Sequence, residues 1–453
     1  FNYRCHYLRE KSFKPLHQYR QNPTRDNKTK YLDTNRKYKE ICECSKIEYY
    51  KSIELKINLV KNNKDWWNLV KEIKNVERQT NPGIQANEFK RYFYELLNPP
   101  QTSNNIMYAA MFYSDDDLDR PINTTEIKNV LAKAKNNKAP GEDRVGYEFL
   151  KNASDIFLEE LAICYNIIYE SSKLDDTFIK SIIFPIFKKG ERENTNNYRG
   201  IAFMNPVAKT FMSILNSRIN KWLQKHTLIT EFQAGFREGY STADNLYNLA
   251  AIAHLKFNEK NKLYAFFVDF RAAFDKVSRK SLIYKLQSIG ISTKMSQMIE
   301  SIYSHTKFTV WNGEELSEEF ETGSGVKQGC VLSPTLFSVY LNDLHDYIEG
   351  GVAVGTENIR LLLYADDIVI LADNITIMQS MIDKLEKYCE IWNLELNLNK
   401  SEMMVLRNGG SLSAREQWLF KGEPIRMTNE YTYLGVTIDR KSTRLNSSHQ
   451  VLS

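Results

Sequence analysis

Two adjacent carboxylates, Asp366 and Asp367, stand inside the apolar stretch Leu363-Tyr364-Ala365-Asp366-Asp367-Ile368-Val369-Ile370. Two more, Asp269 and Asp275, follow the run Phe266-Phe267-Val268. An Asp pair at a hairpin tip is ordinarily turn chemistry. Here the Gly or Asn that a tight turn favours is missing. The strand before Asp269 is also too apolar for one with a solvated face, which places it in the interior. Two like charges about 4 Å apart repel by ~4 kcal/mol at an effective dielectric of about 20. A fold does not keep that arrangement for stability. A divalent cation removes the penalty, and Mg²⁺ takes one or two carboxylates together with phosphate oxygens. Two such ions activate an attacking hydroxyl and stabilise a leaving pyrophosphate.

The elements around these carboxylates follow from periodicity. Residues 263–269 read as a buried strand, and 359–364 with 368–371 as a hairpin. Ser333-Pro334 has the form of an N-cap followed by Pro at N1, with Phe337, Tyr340, Leu341 and Leu344 at helical spacing behind it. A helix over 375–392 carries Met378, Met381, Leu385, Tyr388 and Trp392 on one face. Residues 403–406 form a further strand. The order β, α, β-hairpin, α, β is the split βαβ arrangement. It makes the first strand and the hairpin central neighbours, so Asp269 and Asp366 converge at one end of the sheet. Upstream, 181–187 reads as a strand. Asn123 and Glu126 form a capping box ahead of an apolar face made by Ile127, Val130, Leu131 and Ala134.

Composition bounds the rest. The 453 residues are 42 % hydrophobic, 12 % aromatic and 26 % charged, which suits a packed interior and excludes wholesale disorder. The net charge of +5 hides an asymmetry: residues 1–80 hold 19 Lys+Arg against 10 Asp+Glu, and the remainder 42 against 46. A basic, Tyr-rich, helical extension over 1–97, with Trp66, Val70 and Ile73 on one face, fits a polyanion partner. Residues 98–121 read as a linker. No apolar run reaches the ~18–20 residues that cross a bilayer, so no membrane partner is expected. The six scattered Cys form neither a disulfide framework nor a zinc spacing, which points to a reducing, intracellular compartment. The start at Phe1 suggests a fragment of a longer protein.

The motifs together resemble the reverse transcriptases, in wording nearest the non-LTR (LINE-like) retrotransposon enzymes. Phe267-Val268-Asp269-Phe270-Arg271-Ala272-Ala273-Phe274-Asp275 resembles their first palm motif, and Tyr364-Ala365-Asp366-Asp367 their YxDD box. Gly325-Val326-Lys327-Gln328-Gly329-Cys330-Val331-Leu332-Ser333-Pro334 resembles the motif between. The resemblance covers about 120–438. It implies an α+β right-hand polymerase with a ferredoxin-like palm. Fingers with the first palm elements would span 122–260, and the palm with the start of the primer grip 261–438. It also implies an RNA-directed DNA polymerase that joins dNTPs to a DNA primer on an RNA template with two Mg²⁺, Mn²⁺ being the alternative. Asp269, Asp366 and Asp367 would be catalytic and hold metal, with Phe270 counted in the metal set. Lys188 (with Lys189 as its alternative), Arg199, Phe274, Gln328 and Gly329 would bind the dNTP, Phe274 as the steric gate against a ribose 2′-OH. Gln233, Gly235 and Arg237, and then Tyr433, Leu434 and Gly435, would contact template and primer. Lys138-Ala139-Pro140-Gly141-Glu142-Asp143 resembles an extra fingers motif, an RNA contact. Lys400, in Leu396-Asn397-Leu398-Asn399-Lys400-Ser401, would donate a proton to pyrophosphate. Asp275 is assigned a structural or capping role. Nucleus and cytoplasm are the compartments the resemblance implies. No endonuclease motif shows in 1–97, and the thumb is expected to be missing. Residues 439–453 lack an apolar pattern and resemble translated adapter sequence, which would end the native chain near Ile438. Two other readings stay open: a group II intron-type maturase, and a decayed product that only binds RNA.

Overall fold

A computed structural model describes residues 3–58, 83–100, 112–409, 412–440 and 442–446. Trp66, Val70 and Ile73 lie outside them. The chain divides into two compact units, Phe1–Pro82 and Gly83–Ser453. In the first, helix Tyr3–Gln21 folds back on helix Arg25–Asn58, with Cys5 Sγ 3.4 Å from Ser45 Oγ. Both helices carry most of their surface in solvent.

The second unit is an α+β fold. At its centre lie five strands: β1 (Leu263–Val268), β2 (Leu361–Tyr364), β3 (Asp367–Ala372), β4 (Glu402–Leu406) and β5 (Arg426–Thr428). Their order in the sheet is β5-β4-β1-β3-β2. All neighbours run antiparallel except β4 and β5. The hydrophobic run of β1 is explained by its position: every residue is buried. Phe266 and Val268 pack into one core with Ile368, Ile370 and the helices Arg279–Ser288, Ser333–Leu341 and Ile375–Ile391. Leu263, Ala265 and Phe267 pack into another, against Leu246, Leu249 and Ile252 of helix Thr242–Asn258 and against Tyr433. A strand that alternates between two dry faces has no polar position to show.

A second sheet joins Tyr198–Phe203, Lys180–Phe187, Lys307–Val310 and Phe320–Glu321 in that order. Helix Ala86–Leu97 lays Phe89, Phe93 and Leu97 on it. This helix, expected within the N-terminal extension, therefore belongs to the second unit. The expected linker also differs where it is described. Asp115 caps the turn Asp116–Asp119 through the Asp117 and Leu118 amides, and Leu118 is fully buried. The buried Arg218 guanidinium holds the Leu118, Arg120 and Pro121 carbonyls and both oxygens of Glu126. The Asn123–Glu126 capping box is present. Ser333 sits inside its helix rather than capping it, and Leu332 takes the N-cap position. Ser442–Asn446, expected to be patternless, pairs with Val436–Asp439.

Candidate active site

The ladder between β1 and β3 ends at the pair Val268–Ile368. Asp269 is the next residue on one strand and Asp367 the preceding one on the other, so the two stand opposite each other. Tyr364 pairs with Asp367 to close the hairpin, which leaves Ala365 and Asp366 as its two-residue loop. All three carboxylates thus lie at one edge of the central sheet. They feel one another. The Asp367 carboxyl, though it reaches solvent, is pushed up to about 6 by desolvation and by the charges of Asp366 and Asp269. Asp366 is also raised, by burial first and with Asp269 adding to it, while Arg199 and Lys188 pull it down.

Asp269 is held from behind by the segment after helix Ile375–Ile391. Its amide donates to Ser401 Oγ (3.0 Å), its carbonyl accepts from the Asn397 amide (2.8 Å), and Asn397 Nδ2 donates to Asp269 Oδ2 (3.1 Å). Lys400 Nζ lies 3.5 Å from the same oxygen. Beside Lys400, the expected proton donor of this motif, Asn397 and Ser401 supply the hydrogen bonds that hold Asp269.

Two cations of the second sheet, Lys188 and Arg199, lie within electrostatic reach of the carboxylates. Arg199 pairs with Ile186 across the hairpin of Lys180–Phe187 and Tyr198–Phe203, and Lys188 follows directly. Lys188 is held below the usual lysine range by desolvation and by Arg199 and Lys400, with Asp275 and Asp269 opposing. Asp275 is pushed up to about 7 by burial, against the pull of Arg199, Gln328 and Lys188. Its Oδ2 accepts from Gln328 Nε2 (2.7 Å). Asp275 therefore orients the side chain expected to meet the nucleotide, a role its spacing alone did not reveal. The Gln328 carbonyl accepts from the Ala202 amide (2.7 Å), which seats this loop on strand Tyr198–Phe203. A Cβ on Gly329 would come within 2.6 Å of the Ala202 carbonyl oxygen, so Gly329 serves close approach. Phe274 is half-buried and stacks on Phe337 at 4.3 Å between centroids.

Among the described residues, no group of three or more His, Cys, Asp or Glu side chains is gathered to hold a metal ion. The expected set of Asp269, Phe270, Asp366 and Asp367 is therefore not closed by side chains alone. Its donors are hard oxygens at one edge that Lys400, Lys188 and Arg199 offset only in part, since Asp366 and Asp367 stay raised, which fits a divalent cation completed by phosphate oxygens.

The family model described as reverse transcriptase (RNA-dependent DNA polymerase) matches residues 186–438. The chain belongs to this reverse transcriptase family. Curated relatives include the RNA-directed DNA polymerase from mobile element jockey of Drosophila funebris, 28 % identical over 372 residues, covering 80 % of this chain and 40 % of that protein. The Pol polyprotein of retrotransposable element R2 from Popillia japonica is 27 % identical over 240 residues, covering 52 % of this chain and 33 % of that one. The chain thus spans about 40 % or less of these relatives' length. A solved telomerase from Candida tropicalis in complex with a fragment of telomeric RNA is 14 % identical, covers 65 % of this chain and 49 % of that one, and has a TM-score of 0.44.

The reverse transcriptase motifs expected to touch template and primer divide. Tyr433 is buried in the second core beside Phe267. Leu434 is half-buried against the same core, and Gly435 is exposed at the turn. Gln233 is 1 % exposed, under the carboxylate hairpin, so its side chain does not reach a template in this arrangement. Gly235 lies against the same hairpin. Arg237 bonds the Thr230 and Gln233 carbonyls and pairs with Glu231. Its surface borders a groove of about 1490 Å³ that Lys138, Lys209, Lys221, Gly329 and Val331 also line. No helix among the described residues is long and apolar enough to cross a membrane.

Proposed function

We propose that the chain is the polymerase portion of a non-LTR retrotransposon reverse transcriptase, copying RNA into DNA from a primer 3′-OH. The observation that carries this reading is the meeting of Asp269, Asp366 and Asp367 at one sheet edge, within electrostatic reach of Lys188 and Arg199. In this reading the central sheet is the palm. Its four strands of contiguous motif, in the order 4-1-3-2, match a ferredoxin-like topology, and the second sheet acts as the fingers. Asp269 and Asp366, with Asp367, would hold two Mg²⁺, which supply a lowered pKa for the attacking hydroxyl and charge neutralisation at the phosphates. Lys188 and Arg199 neutralise the triphosphate, Arg199 through its planar fork. Gln328, oriented by Asp275, contacts the nucleotide. Lys400 is exposed and near Asp269, in reach of a departing pyrophosphate. The basic groove bordered by Lys138 and Arg237 suits the RNA backbone.

Primer extension on poly(A)–oligo(dT) with Mg²⁺ tests this. Asp366→Asn is expected to lower dNTP incorporation by about 10³-fold or more while RNA binding stays within about twofold. Equal incorporation by variant and parent removes the catalytic assignment. Phe274→Val is expected to admit ribonucleotides, with dNTP/rNTP discrimination falling about tenfold; unchanged discrimination demotes the gate.

A further inference from the structure

The turn that carries Asp366 is not shaped by its own residues. Ala365, the first loop residue, has φ +57°. A left-handed conformation costs a non-glycine residue about 1–2 kcal/mol. Its amide is buried, and neither loop residue is Gly or Asn. The conformation is held from outside by the segment 232–237. The Leu363 amide donates to the Phe232 carbonyl and the Ala234 amide to the Leu363 carbonyl, both at 2.9 Å. Between them Gln233 turns inward. Its Oε1 accepts from the Ala365 amide (3.0 Å) and from the Gly235 amide (2.8 Å). Its Nε2 meets no hydrogen-bond partner among the described residues, so the oxygen is the working end. A Cβ on Gly235 would fall against the Ala365 nitrogen and within 2.9 Å of the Tyr364 carbonyl carbon, so a bare α-carbon is what lets the segment close on the turn. Asn245 adds a bond from Nδ2 to the Leu363 carbonyl (2.9 Å).

We propose that Gln233 is a positioning residue for nucleotidyl transfer: its amide oxygen holds the Ala365–Asp366 turn in a form the local sequence disfavours, and so fixes where the Asp366 carboxylate stands. The proposal rests on the polymerase reading above. It makes the strain at Ala365 and the hydrogen bond from Gln233 two halves of one device. Removing the strain makes the bond dispensable, which a packing role for Gln233 does not predict.

The test uses the full chain with Gln233→Met, Gln233→Glu, Ala365→Gly and the Gln233→Met/Ala365→Gly double variant. Folding is followed by circular dichroism, amide exchange over 364–367 by NMR or mass spectrometry, and primer extension with kcat and KM for dNTP separated. Gln233→Met is expected to fold and to lose about tenfold or more of the protection at Ala365. Its kcat is expected to fall about 10–100-fold with KM for dNTP within about twofold, because misplacing one reacting group by about 1 Å suffices for such a loss. Gln233→Glu keeps the acceptor and is expected to recover most of that loss. Ala365→Gly in the Gln233→Met background is expected to recover about fivefold or more, since glycine adopts positive φ freely. Protection and kcat within about twofold of the parent in Gln233→Met overturn the proposal. So does a loss that neither Gln233→Glu nor Ala365→Gly recovers. If the parent chain extends no primer, the polymerase reading fails, and the exchange comparison alone still decides whether Gln233 holds the turn.

Discussion

Among the tight two-residue hairpins of the second unit, those of 430–439 and 361–372 are held in different ways. The loop of 430–439 is Leu434-Gly435, closed by the pair Tyr433–Val436. Both residues have positive φ, +48° and +81°, as the turn type that matches strand twist requires. An added Cβ on Gly435 would meet nothing within 4 Å. The loop of 361–372 is Ala365-Asp366, with positive φ at Ala365 alone and Gln233 and Gly235 packed behind it. One turn has a glycine at its second position with open space around it, and its Leu434 rests on the core of its own sheet. The other spends its positions on acidic side chains and borrows its form from a segment about 130 residues upstream. A turn that must present carboxylates gives up the residues that would make it self-sufficient.

That contrast can be broken most forcefully at Gly235. Gly235→Ala places a methyl group against the Ala365 amide, and the expected result is a loss of primer extension of about 100-fold with about 1–3 kcal/mol of destabilisation. Extension kinetics and a denaturant melt read both. The matching substitution in the other hairpin, Gly435→Ala, has room for its methyl group and only the backbone cost of about 1 kcal/mol. Extension there is expected to stay within about threefold of the parent. Equal effects at the two glycines would erase the distinction. The smallest difference is in pH. The folded-state pKa of Asp367, about 6, lies above its ordinary 3.8, so the folded state binds this proton more tightly than the unfolded chain. Stability from this group is full below about pH 4 and is lost as pH rises through about 6. Without divalent cation, the melting temperature of the parent is expected to fall across that window relative to Asp367→Asn. Parallel profiles for the two proteins would show that the carboxylates do not interact at this edge.

Much of the central sheet could be read from the chain because its signals are local. Six consecutive apolar residues in β1 mark a strand with no solvated face. Asn123 with Glu126 marks a helix start, and Met378, Met381, Leu385 and Tyr388 lie buried on one helix face. The convergence of Asp269 with the Asp366–Asp367 pair follows from the order of elements. What escaped reading depends on distant partners. Gln233 looks like an ordinary polar loop residue until Leu363 and Ala365 are beside it. Asp275 shows its task only through Gln328, 53 residues away. Lys307–Val310 has four residues with two buried, too short for a period to emerge. Ala86–Leu97 is amphipathic in sequence, but which unit its Phe89–Phe93 face covers is decided by the sheet it meets.

The placement of β1 between the two cores has a consequence for how the molecule fails on heating. Phe266 and Phe267 are adjacent in the chain yet serve opposite interiors, so neither interior can come apart without withdrawing the strand that the other needs. The two melt as one block, and the edge that carries Asp269 is an extension of that block's innermost element. The order of the central sheet and the placement of Asp269 should therefore be lost at the same temperature.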